Sequence, residues 1–166
     1  MTANLAKTPA QYNRWMNRRL YETCRELTDE QLSEDCGAYF KSIIGTLNHL
    51  SIDDSVWMAR FTNQSSPYQQ LNAIIYSDFT TLKMARERLD EEIVLWADSV
   101  TLERLQTTLH YTSVVNPQPK TLNMDIAVTH FFNHQTHHRG QVTTLLSQRG
   151  IDMGATDLPW MPTDSL

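Results

Sequence analysis

The chain has 166 residues, a formal net charge of −5, and only five glycines and six prolines. That length suffices for one domain, residues 1–166, with a core of its own, and the scarcity of turn formers favours helix over a turn-rich β fold. An acidic balance without a lysine-arginine block argues against nucleic acid and against an anionic membrane as partners.

The N-terminal stretch has no apolar core of the signal-peptide kind, and no segment approaches the ~18 uninterrupted apolar residues of a membrane span. Cys24 and Cys36 form neither a CxxC nor a disulfide framework, so a cytoplasmic location is expected.

Thr8-Pro9-Ala10-Gln11 reads as a helix start, with Thr8 as cap and Pro9 in the first helical position. Tyr12, Trp15, Met16, Leu20 and Leu27 continue one apolar stripe, giving a first helix over Pro9 to Glu26. Thr28-Asp29-Glu30-Gln31 repeats the capping pattern for a short turn ending near Ser33.

A second long helix is expected over Ser42 to Thr62, with Ile43, Leu47, Leu50, Trp57, Met58 and Phe61 as its main apolar face. Asp54 falls within that face and needs a partner, such as Arg18, Arg19 or Arg86. His49 lies on a second, weaker apolar face with Ile52 and Val56, and Asp53 shares its side. On its own, His49 reads as a surface or cleft histidine. Two apolar faces on one helix suggest a second subunit on one of them, hence a homodimer.

Gln64 to Tyr76 is a loop broken by Ser65-Ser66-Pro67. The third long helix, Asp78 to Asp98, carries a stripe of Phe79, Leu82, Ala85, Leu89, Ile93 and Trp96; Lys83, Arg86, Glu87, Arg88, Asp90 and Glu91 read as its solvated side. Alternation around Thr107 to Lys120, followed by Asn116-Pro117-Gln118-Pro119, gives a small β-hairpin or extended excursion. His110 lies there, at the surface. After Gly150 the tail has no period, and the Trp160 ring is expected to pack back on the helices.

The last helix, Asn123 to Arg149, contains HFFNHQTHHRGQ, which holds four of the six histidines. Gly150 ends it as a C′ residue. At about 100° per residue, Met124, Ala127, Phe131, Val142 and Leu145 define one apolar face, with His138 at its centre and His134 beside it. His130 falls at the margin and His137 outside. An inward i, i+4 pair is how one helix offers a metal two imidazoles; the bland alternative is two hydrogen-bonded core histidines.

Three further stretches carry a resemblance. Asn133 to Gln141, reading NHQTHHRGQ, is similar to the N-H-x-x-x-H-R-G-Q run of the DinB/YfiT-like metalloenzymes. YNRWMNRRLYE (Tyr12 to Glu22) is similar to that family's first helix, and GTLNHLSIDDSVWMARF (Gly45 to Phe61) to its second. The resemblance implies an all-α antiparallel four-helix bundle with one divalent metal on His49, His134 and His138. It, and not the helical wheel, selects His49. Zinc, nickel, iron and cobalt all accept imidazole. Asp53 and Gln141 are the candidate acceptors for the imidazoles' other N–H groups, and Arg139 is assigned to helix packing or an ion pair. The family is often dimeric and includes thiol-dependent S-transferases. The implied function is therefore transfer of a small-molecule thiol to an electrophile, with a non-catalytic metal-binding stress or interaction protein as the alternative.

Overall fold

The computed structural model describes residues 4–162; the ends of the expected 1–166 domain lie outside the described residues. The fold is mostly helical with a small two-stranded antiparallel sheet. In order come α1 (Asn4–Cys24), α2 (Asp29–Ser33), α3 (Ile43–Phe61), α4 (Phe79–Ser99), α5 (Leu102–Leu105), β1 (Thr108–Thr112), β2 (Pro119–Asn123) and α6 (Met124–Gln148). α1 packs against α4 and α6, and α3 packs against the same two. Among the described residues no helix is long and apolar enough to cross a membrane.

Side-chain caps set most of the helix starts. Thr28 and Gln31 form the full capping box at α2. Ser42 accepts from the Gly45 N–H at α3, and Asp78 from the Thr81 N–H at α4. Arg149 is the C-cap of α6, and Gly150 follows at φ +76°, a left-handed conformation that glycine adopts without strain. The hairpin pairs Thr108 with Asn123 and Thr112 with Pro119; Pro119 is tolerated because a two-stranded sheet has only edge strands.

The start of α1 differs from the sequence reading. The helix begins at Asn4, and Pro9 sits inside it. A proline there gives up one backbone hydrogen bond, but Ala6 and Ala10 both bury against the cluster of Trp57, Phe61 and Phe131. That packing carries the helix past Pro9. The 3-10 turn Leu158–Trp160 gives a second correction: Trp160 is 66% exposed and Met161 is the residue that packs inward. The tail is held on α1 by Tyr12, whose hydroxyl donates to the Thr156 carbonyl, and by Arg19, which donates to the carbonyls of Met153 and Ala155. The turn beyond those anchors presents Trp160 to solvent.

The core has two apolar clusters separated along all four long helices by buried polar residues. One contains Trp57, Phe61, Ile93, Ala127 and Phe131; the other contains Leu20, Leu47, Leu82 and Leu146. Between them in sequence lie Asn13 and Asn17 on α1, Asp54 on α3, Arg86 and Asp90 on α4, and Gln135 and Arg139 on α6, all buried. Arg86 reaches Asp54 at 2.6 Å and Asp90 at 2.8 Å. Gln135 donates to Asp54 at 2.9 Å, Asn17 donates to Asp90 at 2.9 Å, and Arg139 donates to Asn13. So Asp54 has its partner in Arg86, while Arg86 and Asp90, expected on the solvated side of α4, are buried. Their i, i+4 spacing lets them face Asp54 and α1 together.

Candidate metal centre

His49, His134 and His138 lie at the level of this polar layer, where α3 faces α6. Asp54 and Gln135, which bond to each other, each sit next in sequence to a residue of the centre, Asp53 and His134. The polar layer therefore fixes the register in which α3 and α6 present their histidines.

The three rings turn one nitrogen each toward a common point. His134 Nε2 lies 3.4 Å from His49 Nε2 and 3.0 Å from His138 Nε2, and one nitrogen from each ring falls within 4.8 Å of the other two. Every other ring nitrogen faces an acceptor. His49 Nδ1 lies 2.8 Å from the Leu71 carbonyl, and His138 Nδ1 lies 2.7 Å from Gln141 Oε1. His134 Nδ1 lies 3.2 Å from Asp53 Oδ2, at ion-pair distance but without aligned hydrogen-bond geometry. With a proton on each Nδ1, the three Nε2 atoms are bare lone pairs aimed at one another. Neutral imidazoles so arranged repel unless a cation lies between them. This donor set fits a divalent ion such as zinc, with three protein ligands and an open position.

Protonation is disfavoured here. Burial pushes His49 down to about 4 and His134 down to about 3, and neighbouring imidazoles act the same way. Burial also lowers His138, against which its hydrogen bond to Gln141 pulls upward. Protons should therefore compete with metal only in strongly acid solution. Bound metal is expected to survive dialysis at ~pH 5.5, where imidazoles of ordinary pKa, near 6.5, would be mostly protonated. Complete metal loss by that pH would contradict the depressed values. Asp53 shifts the other way: burial and the neighbouring Asp54 push it up to about 7, while Arg60 opposes them.

His49 is only 5% exposed, not the surface or cleft residue that its position on the helix suggested. Two segments cover it. Phe40 stacks on its ring at 3.9 Å and 17°. The Gln64 to Tyr76 loop supplies the Leu71 carbonyl, and Asn48 clamps that loop's end by accepting from the Ile75 and Tyr76 N–H groups and donating to the Tyr76 carbonyl. In α3 every residue except the half-buried Ser55 and Arg60 is buried within a single chain. The second apolar face thus needs no second subunit to cover it.

Phe40 reaches His49 because Gly45 leaves room. A Cβ at Gly45 would lie 2.1 Å from the Phe40 carbonyl oxygen, and backbone cannot yield as a side-chain tip can. Gly45→Ala is expected to destabilise the fold by about 1–3 kcal/mol, as overpacking does, and to lift Phe40 from His49. Thermal unfolding and a metal titration would check both; wild-type values in the two would contradict the fit.

Of the remaining histidines, His137 is exposed; its ring packs edge-on against that of His138 at 4.8 Å and its Nε2 lies 3.4 Å from Gln141, but it brings no nitrogen into the cluster. His130 is exposed and packs on Trp57, and His110 is exposed on β1. Arg139 is buried and bonded to α1, which agrees with a packing role. Asp53 stands against the His134 ring and Gln141 against the His138 ring. Gln141→Ala should weaken metal binding by about 10–100-fold, the usual cost of losing such a partner, with the helical circular dichroism unchanged. An unaltered affinity would remove Gln141 from the centre. Sequence reasoning missed Phe40 and Leu71. Leu71 acts through its backbone, which leaves no residue-type signal; Phe40 comes from a loop with no period.

A family model described as "DinB family" matches residues 1–164. "Protein DinB" of Bacillus subtilis (strain 168) is 26% identical over 155 residues, a stretch covering 89% of this chain and 87% of that protein.

Proposed function

The chain belongs to the DinB family, and on that premise we propose that it is a metal-dependent enzyme that transfers a small-molecule thiol to an electrophile. The observation that carries the reading is the convergence of three Nε2 atoms from His49, His134 and His138, each ring facing an acceptor through its other nitrogen. A divalent ion held by three neutral imidazoles keeps its full charge and supplies acidification of a thiol at its open position.

The protein's own groups do the rest. Leu71 and Gln141 hold the His49 and His138 rings in the tautomer that leaves Nε2 free, and Asp53 stands beside Nδ1 of His134. Phe40 closes one side of the centre to water. In the reaction the thiol loses its proton to solvent, the sulfur forms a bond to the electrophilic carbon, and the leaving group departs with its electron pair. All three histidines act as ligands and not as bases.

Zinc and nickel are the ions we expect, with iron and cobalt also compatible with imidazole. The contacts of α1 and α3 with both α4 and α6 support an antiparallel four-helix bundle. A homodimer rests on the family resemblance alone, since α3 is covered within one chain.

The test is turnover. Metal-loaded protein should conjugate thiols to chlorodinitrobenzene or bromobimane faster than the free metal does, and chelation should abolish this. Saturated metal with no conjugation across a panel of thiols and electrophiles would favour the non-catalytic metal-binding protein.

A further inference from the structure

Arg60 lies eleven residues beyond His49, about three helical turns, and so points to the same side of α3. Its guanidinium carbon is 4.4 Å from the Trp57 ring centroid and 4.4 Å from that of Tyr111 on β1. Those two rings are 5.6 Å apart, so the guanidinium caps the notch they form. Among the described residues no carboxylate comes within the 4.0 Å of an ion pair with it. Each other buried or half-buried arginine has polar partners: Arg14 has Glu91, Arg86 has Asp54 and Asp90, Arg139 has Asn13, Arg149 has Glu34, and Arg19 has two carbonyls. Arg60 alone among them has no direct ion-pair or hydrogen-bond partner for its guanidinium among the described residues: the two ring faces hold it, and the carboxylate that acts on it, Asp53, does so from beyond ion-pair distance.

A path leads from Arg60 to the metal centre. Trp57 packs on His130 at 5.1 Å, and His130 packs on His134 at 5.7 Å. His130 is exposed, and His134, Arg60 and Tyr111 are half-buried, so solvent reaches both ends of this row of rings and His130 within it, while Trp57 is buried. A guanidinium fixed by aromatic faces keeps its N–H edge free, and that edge matches a carboxylate in a bidentate way.

We propose that Arg60 binds the carboxylate end of the thiol cosubstrate, an extended molecule whose sulfur end lies at the three-histidine centre. This inference rests on the thiol-transfer reading above. It makes Arg60 a specificity residue: a neutral thiol reaches the centre without the anchor, and a carboxylate-bearing thiol of sufficient length gains it. The aromatic notch and the imidazole of His130 supply the walls along which the intervening chain lies.

The test uses cobalt-loaded protein, whose visible spectrum changes when sulfur binds. Mercaptopropionate, mercaptohexanoate and mercaptoundecanoate are each titrated against the corresponding methyl ester. In the wild type the acid should bind more tightly than its ester by at least about tenfold at one of the longer lengths, the size of one charge-assisted hydrogen bond. Arg60→Met, compared at saturating cobalt, should erase the preference by weakening the acid to the level of its ester; Arg60→Lys should keep part of it. Equal binding of acid and ester at every length would overturn the inference and leave the thiol reading intact, as would a preference that survives in Arg60→Met. Failure of acids and esters alike to perturb the spectrum would overturn the thiol reading and this inference with it.

Discussion

His134→Ala is expected to lower metal affinity by at least about 100-fold, beyond the 10–100-fold typical of losing only a hydrogen-bonded partner of a ligand. His134 turns its Nε2 toward both other ligand atoms: it is 3.4 Å from Nε2 of His49 and 3.0 Å from Nε2 of His138. Removing it leaves two imidazoles from different helices and an acceptor, Asp53, with no ring to hold. His49→Ala and His138→Ala should behave alike. His137→Ala and His110→Ala should retain wild-type affinity, because neither side chain enters the cluster. Competition with a chromophoric chelator measures all five. If His137→Ala abolished binding and His134→Ala did not, the face of α6 assigned to the metal would be wrong. The apo forms should still fold, since both apolar clusters are built without the ion. Metal at 100 times its dissociation constant should stabilise the wild type by about 2.7 kcal/mol through mass action.

Arg86→Met is expected to cost about 3–5 kcal/mol of folding stability, the penalty for breaking a buried ion pair by removing one partner. Arg86 lies between Asp54 and Asp90, and all three are buried. Without the guanidinium two carboxyls remain in the core with only amide donors, Gln135 for one and Asn13 and Asn17 for the other. Burial already pushes Asp90 up to about 6 and Asp54 in the same direction, with Arg86 opposing both. A carboxyl whose folded pKa stands above its unfolded value favours the folded state when protonated, and loses that contribution as pH rises through the folded pKa. In the variant the opposing charge is gone, so the deficit should be larger at ~pH 8 than at ~pH 5. Urea unfolding at the two pH values reads it. A deficit under about 1 kcal/mol at both would mean that the polar layer does not need its charge.

Periodicity and caps made most of the helical framework legible. Ser42, Asp78 and Thr28 cap their helices, and Gly150 ends α6 as its position implied. Where local signals met packing, packing won. Pro9 looked like a helix start, yet buried Ala6 draws the helix back to Asn4. α5, of four residues, is too short to show a period. Arg86 was legible as one of three candidate partners of Asp54, but its burial and that of Asp90 were hidden, because charge reads as solvation until partners on other helices are known; those partners come from α3 and α1.

The centre divides the same way. The inward turn of His134 and His138 followed from spacing on one helix. His49 did not follow from its own helix, because what buries it is a loop carbonyl and the Phe40 ring, held close by the absence of a side chain at Gly45. Its place in the cluster was legible only by resemblance.

The central claim is that three histidines from α3 and α6 hold one divalent ion. X-ray absorption on protein purified without a histidine tag and loaded with zinc tests it most directly. One zinc per chain with a first coordination sphere of imidazole nitrogens at about 2.0–2.1 Å, reduced in His49→Ala, His134→Ala and His138→Ala alike, is the expected result. A sphere containing sulfur, or zinc content unchanged in those variants, would contradict it.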